Sequence, residues 1–286
     1  MTLPGPLVSG DWLAAHLEPA AAGGAPTVGP GASASTVRVV DVRWYLDGRS
    51  GLAAFEAGHV PGAVWLDVDA DLSAPASAAE GRHPLPSPVD FAAALGRVGI
   101  ADGQPVVAYD DAGGSNAARL WWLLRVLDEP AAVLDGGLSS WPAELSTDVP
   151  ALSPVARTAR PWPPGRFADA DAVMVPGSVV LDARSAERYA HGDPAIDPRP
   201  GHIPGAHSAP WAGNLDPATG RFLAAAALRA RFAAIGAGPA IAYCGSGVTA
   251  CHDLLALEIA GHRNTALYPG SWSQWGADPA HAAETS

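Results

Sequence analysis

The chain contains two copies of one unit, and a repeat of that length fixes the architecture before any single motif is read. Val39-Val40-Asp41-Val42-Arg43 returns as Val180-Leu181-Asp182-Ala183-Arg184, and Gly58-His59-Val60-Pro61-Gly62-Ala63 as Gly201-His202-Ile203-Pro204-Gly205-Ala206. Val107-Ala108-Tyr109-Asp110 then matches Ile241-Ala242-Tyr243-Cys244, and Leu134-Asp135-Gly136-Gly137 with Trp141 matches Leu267-Tyr268-Pro269-Gly270 with Trp275. The offsets stay between 133 and 143 residues, too regular for chance. Two homologous domains follow, at 1–148 and 167–286. Residues 149–166 join them, a Pro-rich stretch without periodicity that reads as an extended linker.

Within each copy short apolar runs alternate with helical patterns, which predicts an α/β fold: two domains, each a mostly parallel sheet flanked by helices. In such sheets the ligand site lies beyond the carboxyl ends of the strands. Cys244-Gly245-Ser246-Gly247-Val248-Thr249 occupies such an end, after the run Ala240-Ile241-Ala242-Tyr243 and before a helical pattern carrying Leu254, Leu255 and Ile259. Backbone N–H groups of the loop and the positive end of the helix converge there, which favours a thiolate over a thiol. The glycines let the loop curl with its amides inward. Cys251, inside the helical pattern, reads as a small buried hydrophobe. The first copy has Asp110 where the second has Cys244, and aspartate cannot carry sulfur, so the N-terminal domain is expected to be catalytically inactive.

Composition excludes several function classes. A net charge of −12 argues against nucleic acid and anionic membrane as partners. All 17 basic residues are arginine, which removes Schiff-base chemistry and a P-loop lysine and leaves arginine to hold any anionic substrate. Two cysteines on one element give no disulfide framework, and no apolar run approaches a membrane span. A cytoplasmic protein is expected. No Cys/His cluster has zinc-ligand spacing, and neither a metal nor a cofactor is expected. Asp41 and Asp182, each two residues before an arginine, read as structural ion pairs or turn caps. His59 and His202 recur in both copies and read as turn structure.

Taken together, the paired Asp-x-Arg and Gly-His-x-Pro-Gly-Ala elements, the single cysteine in the second copy and the segment Gly270-Ser271-Trp272-Ser273-Gln274-Trp275 resemble the tandem-domain rhodanese family of sulfurtransferases, over residues 37–275. The loop, followed by Ala250-Cys251-His252, is similar to that of the 3-mercaptopyruvate sulfurtransferases; thiosulfate-preferring members carry basic residues inside it. The resemblance implies a persulfide on Cys244, formed from 3-mercaptopyruvate with release of pyruvate and discharged to a thiol such as thioredoxin or a small thiol, or to cyanide. It implies substrate contacts from the loop residues Gly245, Gly247, Val248 and Thr249, and from Arg188 and Arg199, which precede the second His-x-Pro-Gly-Ala turn. It further implies that Ser246 acts with Asp69 and His83 in catalysis. Thiosulfate as donor is the alternative by the same chemistry, and a non-catalytic sulfur-carrier binding protein is a second one. A phosphatase loop would be longer and end in arginine, whereas position 250 is alanine.

Overall fold

Runs of Val, Ile, Leu and Ala with no polar alternation form strands that are covered on both faces, the pattern of parallel sheets. A computed structural model describes residues 2–17, 36–236 and 238–285; the rest of the expected spans 1–148 and 167–286 lies outside the described residues. In the first half β1 (Leu7–Val8), α1 (Gly10–His16), β2 (Arg38–Asp41), α2 (Gly51–Ala57), β3 (Val64–Trp65), α3 (Pro88–Arg97), β4 (Val106–Tyr109), α4 (Ala117–Arg125) and β5 (Ala131–Leu134) follow one another. Their sheet is parallel throughout, in the order β1-β5-β4-β2-β3. The second half holds α5 (Ala170–Val173), β6 (Val179–Asp182), α6 (Ala186–His191), β7 (His207–Ser208), α7 (Ala225–Arg231), β8 (Ala240–Tyr243), α8 (Ala250–Ala260), β9 (Thr265–Leu267) and α9 (Ser271–Trp275). Its sheet, also parallel, runs β7-β6-β8-β9. A bridge from Phe167 to Leu267 takes the place that β1 holds beside β5.

The repeat persists in side-chain bonds. Arg43 binds Asp41 at 2.6 Å and donates to the Gly58 carbonyl at 2.7 Å; Arg184 binds Asp182 at 2.7 Å and donates to the Gly201 carbonyl at 2.8 Å. All four side chains are buried, and each pair fixes the turn that follows. The Tyr109 hydroxyl accepts from Val60 N–H at 3.1 Å and the Tyr243 hydroxyl from Ile203 N–H at 3.2 Å. His59 stacks on Phe55, and His202 on Tyr189, inside these turns.

Serine or aspartate side chains cap α1, α2, α3, α5 and α6 at their first N–H groups. The caps of α4 and α8, Asn116 and Thr249, make no such bond. Those two helices follow the loops at Asp110 and Cys244, which leaves their N-terminal amides to the residues of the loops.

By its contacts the chain divides into two units, one of residues up to Leu72 with Pro86–Pro161, the other of Ser73–Leu85 with Trp162–Ser286. Residues 150–161 have no helix or strand, but they are not loose. Val155 N–H donates to Gly96 O, and the buried Arg157 side chain reaches Ala101 O at 2.8 Å and Glu129 at 2.5 Å. The segment Ser73–Leu85 belongs with the second unit, where Gln274 donates to the Ala79 carbonyl and Arg82 N–H to Ser273 Oγ at 3.0 Å.

Candidate active site

Strand β8 delivers Cys244 to its carboxyl end, and α8 begins six residues later. The backbone of the cysteine is clamped by α9: its N–H donates to Ser271 Oγ at 3.1 Å, its carbonyl accepts from Trp272 N–H at 3.0 Å, and the Gly245 carbonyl accepts from Ser273 N–H at 2.9 Å. Ser271 holds a φ of +51°, a conformation costly for a non-glycine residue, and its hydroxyl donates onward to Tyr268 O at 2.9 Å. Gly247 sits at φ +81°, and a Cβ there would meet Pro269 O at 2.6 Å, so glycine is required.

Cys244 is buried, 3% exposed, and its sulfur accepts from Gly247 N–H at 3.2 Å and Ser246 N–H at 3.5 Å. Among the described residues, the N–H groups of Val248, Thr249 and Ala250 meet no protein acceptor. Inward amides at a helix start stabilise negative charge on a ligand or on the sulfur. Cys251, fully buried, directs its thiol to Gly247 O at 3.5 Å.

The corresponding loop of the first unit shows the same cradle filled by the chain itself. The Asp110 carboxylate, fully buried, accepts from the N–H groups of Ala112, Gly114, Asn116 and Ala117 at 2.8–2.9 Å. Burial pushes this carboxyl up from its ordinary value, and the four amides pull it back. No nucleophile and no open amide ring remain there.

Around Cys244 the second unit gathers His83, Ser246 and two arginines. His83 Nδ1 and Ser246 Oγ share a 2.7 Å hydrogen bond, both side chains buried. A Cβ on Gly245 would lie 2.7 Å from Arg82 Nη2 and 2.9 Å from Arg188 Nη2, so both guanidinium ends converge over this glycine. Arg188 is held from α6 by Asp197, at 2.5 and 3.0 Å. Arg199 is turned elsewhere: its Nη2 donates to His281 O at 2.6 Å, with Asp278 O and Trp275 O at 3.4 and 3.5 Å. The expectation that Arg199 faces the substrate does not account for this arrangement, in which three carbonyls of the C-terminal segment engage the guanidinium. Asp69 lies in the first unit, accepts from Trp44 Nε1 at 2.8 Å and lines a cavity of about 330 Å³ there with Tyr45, Arg49, Trp65 and Asp67.

Beneath the loop, α8 carries a buried polar group. Asn214 donates to Asp253 Oδ1 at 2.6 Å and contacts His252 Nδ1 at 3.1 Å, while Arg231 donates to Asn214 Oδ1 at 2.9 Å. Burial pushes Asp253 up to about 7, against the pull of Asn214 and Arg231. A folded-state value above the unfolded one means that the contribution to stability is full below pH ~4 and is lost as pH rises through ~7. Asp253→Asn removes this dependence. Urea unfolding is expected to show the variant gaining about 2–3 kcal/mol on wild type between pH 5 and pH 8; a constant difference would refute the assignment.

Arg82, Ser271 and Asp197 carry no signal of these roles in the sequence read alone. Among the described residues no group of three or more His, Cys, Asp or Glu side chains is placed to hold a metal, and no helix is long and apolar enough to cross a membrane.

Comparison with known proteins gives the family. The family model of the rhodanese-like domain matches residues 31–144 and again 168–278. A probable 3-mercaptopyruvate sulfurtransferase of Pseudomonas aeruginosa is 41% identical over 86% of this chain and 92% of its own length. A putative thiosulfate sulfurtransferase of Mycobacterium tuberculosis, SseB, is 38% identical over 85% and 89%. The crystal structure of SseA from Escherichia coli, a 3-mercaptopyruvate sulfotransferase, superposes with a TM-score of 0.74 at 30% identity, covering 94% of this chain and 99% of that one.

Proposed function

The chain belongs to the rhodanese family, through both of its halves, and on that premise we propose that it moves a sulfane sulfur from 3-mercaptopyruvate to a thiol or cyanide acceptor through a persulfide on Cys244. The observation that carries this reading is the Cys244 sulfur set against the amides of Ser246 and Gly247 in the loop before α8, beside the His83–Ser246 pair.

The Cys244 thiolate attacks the sulfur of the donor and an S–S bond forms. The donor's C–S bond breaks, and its electron pair passes to carbon as the enolate of pyruvate, which takes up a proton to leave as pyruvate. We assign the delivery of that proton to the Ser246 hydroxyl, a role supported by its 2.7 Å hydrogen bond with His83. The amides of Val248, Thr249 and Ala250 are available to the anionic persulfide, and Arg188, steadied by Asp197, to the donor carboxylate. The resemblance assigns Asp69 to the same step, a role checked by the effect of Asp69→Asn on kcat. A thiol acceptor such as thioredoxin or a small thiol, in the cytoplasm, suits a protein whose two cysteines are both free thiols.

Incubation with 3-mercaptopyruvate and cyanide is expected to yield pyruvate and thiocyanate in equal amounts; absence of pyruvate would refute the proposal. Gly245→Ala tests the packing of the site. Its Cβ displaces the flexible ends of Arg82 and Arg188 without straining the backbone. Stability should change by under ~1 kcal/mol, while kcat/KM falls about 10- to 100-fold. Unchanged kcat/KM in a steady-state assay would count against the two-arginine arrangement.

A further inference from the structure

Helix α9 is only 5 residues long, yet it holds two parts of the site at once. Through its backbone it clamps the cysteine loop, Trp272 N–H donating to Cys244 O and Ser273 N–H to Gly245 O. Through its side chains it holds the segment Ser73–Leu85, which folds with the same unit. Ser273 Oγ accepts from Arg82 N–H at 3.0 Å and donates to Gly270 O at 3.0 Å. Gln274 Nε2 donates to Ala79 O, while its Oε1 accepts from the Tyr268 hydroxyl at 2.8 Å.

The segment is shaped to lie against this helix. Ser77 and Gly81 exchange backbone hydrogen bonds at 3.0 and 2.8 Å, which closes a narrow turn, and Ala74 N–H donates to Pro84 O at 3.1 Å, which ties the two ends together. Gly81 has a φ of +92°, and a Cβ there would lie 2.7 Å from both Gly270 O and Ser273 Oγ. Glycine alone lets the turn approach α9 this closely. His83 follows two residues later, its Nδ1 at 2.7 Å from Ser246 Oγ with both side chains buried. The two members of that hydrogen bond therefore come from different stretches of chain, and Ser273 touches both: its N–H fixes the loop that carries Ser246, and its hydroxyl fixes the backbone one residue before His83.

We propose that Ser273 is a positioning residue for proton delivery, setting the His83–Ser246 hydrogen bond on which protonation of the pyruvate enolate depends. The inference rests on the persulfide reading of Cys244 and on the part assigned there to Ser246. Ser273→Ala breaks one half of the connection and keeps the other, because the backbone N–H that holds Gly245 remains. The cysteine loop should stay in place while the segment carrying His83 loses its register.

Ser273→Ala is expected to lower kcat with 3-mercaptopyruvate about 10-fold, and Gly81→Ala, whose Cβ must push the turn off α9, about 100-fold, the scale of a ~1 Å misplacement. Iodoacetamide, which needs the Cys244 thiolate and no proton donor, probes the nucleophile separately. Its rate of alkylation should stay within ~3-fold of wild type in Ser273→Ala; a fall parallel to that of kcat overturns the proposal. A double-mutant cycle with His83→Gln gives the readout that a purely structural role would not move. If Ser273 acts through His83, the loss from Ser273→Ala is at least ~3-fold smaller in the His83→Gln background than in wild type, and a more nearly equal loss in the two backgrounds overturns the assignment. Unchanged kcat in both Ser273→Ala and Gly81→Ala overturns it as well, with the reading of Cys244 left standing. If wild-type enzyme releases no pyruvate from 3-mercaptopyruvate, the reading of Cys244 fails and the inference with it.

Discussion

Cys244→Ser abolishes sulfur transfer from 3-mercaptopyruvate, with a loss of at least ~10,000-fold in kcat/KM, the scale seen when a covalent nucleophile is removed. A hydroxyl differs little in size from a thiol, and the clamps on the backbone at position 244, from Ser271 and Trp272, do not involve the side chain. The variant should therefore fold and keep its melting temperature. The chemistry is lost because a serine oxygen is protonated at neutral pH and cannot hold sulfane sulfur. Residual transfer within ~100-fold of wild type would place the sulfur-carrying atom elsewhere.

The second large effect is on stability and lies in the domain that has no nucleophile. Asp110→Ala strips four N–H groups, those of Ala112, Gly114, Asn116 and Ala117, of their acceptor at once, and all but the first are buried. Leaving buried donors unpaired costs about 1–3 kcal/mol each, and water admitted to the gap recovers part of this, so a net loss of about 3–5 kcal/mol is expected. For a domain of this size the melting transition should drop by ~10 °C in calorimetry. Asp110→Asn keeps the shape and one acceptor oxygen but turns an NH2 group toward amide donors, and should fall between. A melting temperature unchanged within ~2 °C would show that the carboxylate is not what closes this loop.

Those two residues also mark what the sequence could and could not convey. The repeat aligned Asp110 with Cys244, and the structure gives each the same place, one as a filled anion cradle and the other as an open one. The parallel sheets, the Asp-x-Arg pairs and the His-x-Pro-Gly-Ala turns were legible because local patterns dictate them: apolar runs of four residues, an acid and a base two residues apart, a glycine where φ is positive. Strand β1 was not, since two residues show no period. Arg82 was not, because its meaning comes from Gly245, 163 positions away, and the intervening chain gives no hint that Ser73–Leu85 folds with the second unit. Arg199 shows the converse. Motif position suggested a substrate ligand, but the direction of a long side chain depends on what surrounds it, here the carbonyls of Trp275, Asp278 and His281. Ser271 was hidden for a similar reason, its strained backbone being held by contacts with Cys244 and Tyr268 that no spacing encodes.

The central claim is that sulfur rests on Cys244 between two half-reactions, and intact-mass measurement after incubation with 3-mercaptopyruvate tests it most directly. Wild-type protein should gain one sulfur atom, lose it on addition of a thiol, and the Cys244→Ser variant should gain none. No added sulfur on wild type, or the same gain on the variant, would contradict the account.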